Sequence, residues 1–377
     1  MVNNMLKPKS TITFNNIVYI CKKPLHANSR HTKFASALAE MQYNIFYISP
    51  LRIKDYILHK LKNSDSAKMD NKLNYNPYLR ISQKFKSYEV KKIVNILHQH
   101  KLISHNTYVV SADMAFCHYL KKYFADNIKV VYYIIDRYSE YDNLSESEKV
   151  RFDQKENTII KECDLILCAS HKLLSEAKVL NSQAYWLPNA VPDTQITTSQ
   201  AKENHRTIGM ISDELSRIDW SLICEIAQRL EHYTIELIGT NDLPAGTNYP
   251  KNIHVIGYVP FKDLGRYANK WSAGLALYEK NRFNEYCCPL KYFEYSSFAI
   301  PTISTPIPEA KVWADLYPNC VYLADNAAQI AERLHFLVNK NQFVDYTQLA
   351  KENTWTIRAQ QLCTILAAHS LEEKYKN

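Results

Sequence analysis

Short apolar runs rich in β-branched and aromatic residues recur along the chain, separated by stretches whose apolar positions return every three or four residues. The runs Ile17–Cys21, Ile45–Ile48, Tyr108–Ser111, Val130–Ile135, Leu165–Ala169 and Ala184–Leu187 predict strands, and Thr32–Met41 and Glu156–Glu162 are among the helices between them. Such alternation predicts a parallel sheet with helices on its faces. A polar stretch, Asp193–Arg206, carries Thr, Ser, Gln and Asn without apolar period and reads as a linker. The pattern then restarts with strands at Thr207–Ile211, Thr234–Ile238, Ile253–Ile256, Ala273–Leu277 and Thr302–Ser304, and helices at Trp220–Leu230, Phe261–Asn269 and Pro289–Ser296. The expected organisation is an N-terminal domain over 1–192, a linker over 193–206, a second α/β domain over 207–354, and C-terminal helices over 355–377 that return toward the first domain. In open sheets of this kind ligands lie beyond the carboxyl ends of the strands, so two facing domains enclose a cleft with one substrate on each wall.

Composition narrows the chemistry. A chain of 377 residues has room for two domains with separate cores. No apolar run approaches bilayer length, and no charged segment leads into an apolar one at the N-terminus, so a cytoplasmic protein is expected. Nine scattered cysteines form neither a disulfide framework nor a zinc-ligand spacing, which leaves reduced thiols and no metal. From Arg52 to Lys101, twelve Lys/Arg face four acids, an excess equal to the net charge of +8 for the whole chain. Interleaved with tyrosines, that stretch suits an anionic membrane surface or simply a solvated lysine-rich face. No nucleic-acid module accompanies it.

Glycine use excludes several familiar sites. All six glycines lie beyond residue 200, and neither a dinucleotide fingerprint nor a phosphate-binding loop can be written from them. There is no D-x-D, the pattern with which many sugar-nucleotide enzymes hold a pyrophosphate through a metal. A bound phosphate therefore needs side-chain cations or helix ends.

The segment Cys288-Pro289-Leu290-Lys291-Tyr292-Phe293-Glu294 offers both. Proline suits a first helical turn, and Lys291 and Glu294 fall three apart on one face, where a lysine can meet a phosphate and a carboxylate can accept from ribose hydroxyls. The same spacing also makes an ordinary surface ion pair above an apolar stripe of Leu290 and Phe293.

The stretch from Ile208 to Glu309 resembles the donor domain of GT-B glycosyltransferases of family 4 type. It is most similar to the subgroup of the teichuronic-acid glycosyltransferases and, more remotely, to the xanthan glucuronosyltransferase. The matching pieces are IGMIS (208–212), the Asp219-Trp220 helix start, IELIG (235–239), PKNIHVIGYVPFKDLGRYAN (250–269) and PLKYFEY…IPTIST (289–305). In the first half they are NSRHTKFASALAE (28–40), YISP (47–50), YYIIDRY (132–138), CDLILCAS (163–170) and LPNAVP (187–192). The resemblance implies a GT-B fold, two Rossmann-like α/β/α domains facing a central cleft. It implies a metal-independent glycosyltransferase without a cofactor, whose donor substrate is a UDP- or GDP-sugar. Lys291 then contacts the donor pyrophosphate beside Pro289, Glu294 the ribose, and the backbone at Tyr258-Val259 the base, with Ser212 at the end of the first donor-domain strand.

This sequence departs from the family in three places. The family's E-x₇-E pair would put a glutamate at position 286, where Tyr286 stands and Glu285 is one residue off. The small Ala/Gly run after Glu-Tyr is replaced by Ser296-Ser297-Phe298-Ala299. The cationic clamp after the first donor-domain strand is missing, which leaves Arg217 or Arg282 as substitutes.

On the acceptor side, Asp136 ends the apolar strand VVYYII, and resemblance to the inverting xanthan enzyme makes it the base that removes the acceptor proton. A strand-end aspartate is equally a helix cap, and a retaining enzyme needs no such base, so the stereochemistry stays open. His26, Arg30 and His31 occupy the acceptor-side loop, where they suit sugar hydroxyls or a lipid-linked phosphate. Asn189 is expected to fix the turn before the linker through its own backbone. The expected activity is sugar transfer from a nucleoside diphosphate to a glycan or lipid-linked acceptor in bacterial surface-polysaccharide synthesis, with possible attachment to the inner face of the membrane. A sugar-nucleotide epimerase of the same architecture and a catalytically silent glycan- or membrane-binding protein are the alternatives.

Overall fold

The computed structural model describes residues 15–25, 27, 29–52, 55–57, 73–79, 86–141, 144–197, 206–212, 218–239, 249–339 and 344–376. Among them, β1 (Asn16–Ile20), β2 (Asn44–Leu51), β3 (Leu73–Leu79), β4 (Thr107–Ser111), β5 (Lys129–Ile134), β6 (Leu165–Cys168) and β7 (Ala184–Trp186) form one sheet in the order β3-β2-β1-β4-β5-β6-β7. A second sheet, β10-β9-β8-β11-β12-β13, is built from β8 (Thr207–Ile211), β9 (Thr234–Ile238), β10 (Ile253–Gly257), β11 (Trp271–Ala276), β12 (Thr302–Ser304) and β13 (Val321–Leu323). Every pairing within both sheets is parallel. The strand order reverses at β1/β4 in the first sheet and at β8/β11 in the second, and the carboxyl ends beside those reversals are where a doubly wound sheet receives its ligand.

The helices that frame the ligand region have local causes. Arg30–Ala39 starts at Ser29, whose hydroxyl accepts from the Thr32 amide while Thr32 answers the Ser29 amide in a capping box. Its buried face, Phe34, Ala35 and Leu38, lies against the first sheet. Lys291–Ser297 is almost wholly interior, with Tyr292, Phe293 and Tyr295 inaccessible to solvent. Tyr295 holds it in place by donating to the Leu275 carbonyl (2.9 Å) and accepting from the Ile211 amide (3.0 Å), which ties the helix to β11 and β8. Gly274 makes that seat possible, because a Cβ there would stand 2.5 Å from the Tyr295 ring.

The serines that replace the small run after Glu294 are sockets for other segments. Ser296 Oγ donates to the Tyr346 carbonyl (2.7 Å) and accepts from the Ala350 amide (2.8 Å), while Thr197, following β7, donates through both amide and hydroxyl to the Ser297 carbonyl. The helix ends with Ala299 at φ 56°, and the Ile300 amide reaches back to the Tyr295 carbonyl at 3.0 Å, a left-handed cap that normally takes glycine.

The helix Trp355–Lys376 packs along Arg30–Ala39, with Trp355 and Phe34 rings 5.8 Å apart, and along the first sheet, where Lys129 pairs with Glu373 at 2.8 Å. One apolar cluster therefore runs unbroken from Tyr19 and Tyr133 through Cys288 and Phe293 to Trp313, Trp355 and Leu366. Among the described residues no helix is long and apolar enough to cross a membrane. Seven of the twelve Lys/Arg of the basic stretch 52–101 lie outside the described residues.

Candidate active site

A small crevice opens between the two sheets, lined on one side by Arg30, Lys33 and Trp355 and on the other by Phe261, Leu290 and Glu294. The second wall is set by the loop entering Lys291–Ser297. Asn189, just after β7, donates its side-chain amide to the Cys288 carbonyl, and Ser170 Oγ donates to the Tyr286 carbonyl at 2.7 Å, so the first domain pins this loop at two points. Asn189 thus acts across to the second domain, not on its own turn. Pro289 lies before the helix instead of inside its first turn: Leu290 is the cap, and the helical bonds begin with Phe293 and Glu294 donating to the Leu290 carbonyl.

Lys291 and Glu294 do meet, Nζ donating to Oε2 at 3.2 Å, yet their side chains are only 18% and 15% exposed. The pair stands at the crevice edge instead of on an open helix surface, and Glu294 forms part of the lining. Ser212 follows β8, its amide donating to the Ile238 carbonyl at 2.7 Å. Tyr258 is exposed (75%) just past β10, and Val259 packs against the buried cluster of Leu264, Trp271 and Phe298. The backbone turns sharply here, with Gly239 and Gly257 at positive φ and the Gly239 amide donating to the Gly257 carbonyl.

In the first domain, Asp136 is half-buried just past the end of β5. The half-buried Tyr138 phenol feels it, since burial first and the Asp136 charge next raise that phenol's pKa while Arg30 lowers it. Asp136 is not among the residues that line the crevice. His31 faces inward, its Nδ1 2.8 Å from the Tyr19 hydroxyl. Burial, helped by Arg30 and Lys23, lowers its pKa to about 3, so at neutral pH it is an uncharged structural partner of Tyr19.

The inward-facing histidine has a measurable consequence. The unfolded chain takes up a proton near pH 6.5, whereas the folded chain resists it until about pH 3, so folding stability must fall as pH drops through that window. Denaturant unfolding at stepped pH should show the native chain losing up to about 1.4 kcal/mol per pH unit more than His31→Gln. Parallel curves for the two would show that His31 is not held neutral.

Arg282 is engaged elsewhere: its Nε donates to Glu140 of the first domain at 2.7 Å, and its side chain is 71% exposed. The ion pair clamps the short helix Arg282–Tyr286 against the first domain and draws the guanidinium away from the crevice lining. His26 and Arg217 lie outside the described residues. Sequence reasoning missed Lys33, which sits three residues after Arg30 on the same helical face; that spacing was the available signal. Its ammonium crosses the crevice to lie 4.9 Å from the Phe261 ring centre.

No known family profile matches the chain, and no curated protein sequence is significantly similar to it. Solved structures do match. HepE of Anabaena, in complex with UDP and glucose, superposes with a TM-score of 0.63 at 10% identity over 93% of this chain and 99% of its own. A glycosyltransferase of Rickettsia africae gives a TM-score of 0.60 at 13% identity, covering 95% and 97%. A TarM variant of S. aureus, in complex with fondaparinux, alpha-GlcNAc-glycerol and UDP, gives 0.59 at 10% identity, covering 96% and 99%. The architecture is thus the α/β two-domain GT-B fold.

Proposed function

We propose that the protein is a glycosyltransferase that moves a sugar from a nucleoside diphosphate, UDP by preference, to a glycan or lipid-linked acceptor, without a metal. The observation that carries this reading is the Lys291–Glu294 pair, shielded at the edge of an interdomain crevice whose other wall presents Arg30. Matched GT-B proteins are recorded with UDP or UDP-glucose bound, which favours uridine over guanine donors.

In this reading Lys291 exchanges its bond to Glu294 for the donor diphosphate, and the released carboxylate accepts from the ribose hydroxyls. The base then extends past Ser212 toward Val259 and the exposed Tyr258. Transfer breaks the bond from the sugar anomeric carbon to the diphosphate oxygen and forms one to the acceptor oxygen. Negative charge grows on the leaving diphosphate, and a fixed ammonium beside it lowers the barrier. Asp136 takes the acceptor proton if the enzyme inverts. Work on surface polysaccharide, and attachment to anionic membrane through 52–101, extend this reading on the strength of the teichuronic-acid resemblance and the stretch's charge.

The direct test is a thermal-shift screen of UDP- and GDP-sugars, since a ligand specific to the folded state raises Tm. Stabilisation by UDP-sugars, followed by transfer to a glycan acceptor, is expected. No shift with any nucleotide sugar would remove the donor site. Conversion of the donor without an acceptor would identify an epimerase instead.

A further inference from the structure

Two cations on the first wall of the crevice lack an acidic partner. Arg30 and Lys33 both line it, and among the described residues neither has a carboxylate within ion-pair distance. Lys33 is partly desolvated, so burial lowers its pKa while Glu294 across the crevice opposes that shift. Two cations three residues apart on one helix, lining one small crevice, lack the same thing, namely an oxyanion.

We propose that Arg30 and Lys33 form an anion subsite on the first domain that takes a substrate phosphate opposite Lys291 and Glu294. Naming the anion as a substrate phosphate rests on the donor reading above; the subsite itself rests on the unmatched cations. It supplies the cationic clamp absent from the second domain, where Arg282 is spent on Glu140. The clamp then spans the crevice, with one ammonium from the second domain and two cations from the first, so binding the anion draws the domains together. Phe261 parks the Lys33 ammonium while the site is empty.

The phosphate has two sources, the donor diphosphate or a phosphorylated acceptor, and calorimetry separates them. The native chain and an Arg30→Gln/Lys33→Gln double variant are titrated with uridine, UDP and inorganic pyrophosphate, and with inorganic phosphate at saturating UDP. With the donor as source, the double variant loses at least about ten-fold in UDP and pyrophosphate affinity, and uridine binding is unchanged. With the acceptor as source, UDP binding survives and the loss appears only for phosphate added to the UDP complex. Equal binding of all four ligands by the native chain and the double variant, or no binding of phosphate or pyrophosphate by the native chain, overturns the proposal. If pyrophosphate binds and depends on these residues while no nucleotide binds, the anion subsite stands and the donor reading falls. Circular dichroism of the double variant confirms that the comparison is between folded proteins.

Discussion

Lys291→Ala should lower kcat/KM for sugar transfer by about 10²–10³-fold, the loss typical when one preorganised donor to a developing oxyanion is removed. Glu294→Ala should act mainly on KM, because ribose hydroxyls are bound equally in ground and transition states. The two residues also pair with each other behind limited solvent exposure, so either single variant leaves a partly shielded charge alone and loses about 1–3 kcal/mol of stability. A purely structural ion pair would give a different pattern. In that case the double variant Lys291→Met/Glu294→Gln, which removes both charges while keeping volume, would restore stability and activity together. The donor reading expects stability to return and transfer to stay lost. Steady-state kinetics and denaturant melts on the three variants decide between them, and retention of native rates in the singles ends the donor assignment.

The sheet architecture was legible because buried parallel strands write themselves as dense apolar runs, whatever lies far away in the chain. β3 escaped notice for a physical reason. Its sequence, LNYNPYL, carries Asn and Pro, which a central strand rejects, but it sits on the edge beyond β2, where Pro77 costs no ladder bond. The Lys291/Glu294 spacing was visible as helical neighbours, whereas what those neighbours face was not. Arg282 and Glu140 are 142 positions apart, and Asn189 and Cys288 are 99 apart, and both pairs cross between domains. No local pattern encodes such a contact, so a surface arginine read as a phosphate ligand turned out to be an interdomain tether. Lys33 failed to stand out for the converse reason, since a lysine on an amphipathic helix is ordinary until the facing wall is known. The serines of 296–297, a departure from the family's small run, make hydroxyl and carbonyl bonds to Tyr346, Ala350 and Thr197 that no local pattern encodes.

Arg137 should be the most costly single residue to remove from the framework of the site. It is only 8% exposed and donates to Glu156 at 2.9 Å, pairs with Glu176, and lies over the Tyr286 ring at 4.7 Å. Tyr286 in turn donates to Glu176 at 2.8 Å, so the guanidinium joins the first domain to the loop leading into Lys291–Ser297. Burial raises the Glu156 pKa, and Arg137 opposes that rise most strongly. Arg137→Ala therefore strands a carboxylate that is 3% exposed with Tyr132 as its remaining hydrogen-bond donor, at an expected cost of about 3–5 kcal/mol. The sign with pH follows from the same shift. A carboxyl whose folded pKa lies above its unfolded value destabilises the fold when ionised, so the variant's deficit should shrink as pH falls through the folded pKa of Glu156. Arg137→Ala/Glu156→Gln should recover much of the loss at neutral pH. The tether to Tyr286 would remain broken in that double variant, so transfer should stay impaired after stability returns. Melts across pH together with transfer rates test both halves, and a neutral-pH loss below about 1 kcal/mol for Arg137→Ala would show that water, not the guanidinium, satisfies Glu156.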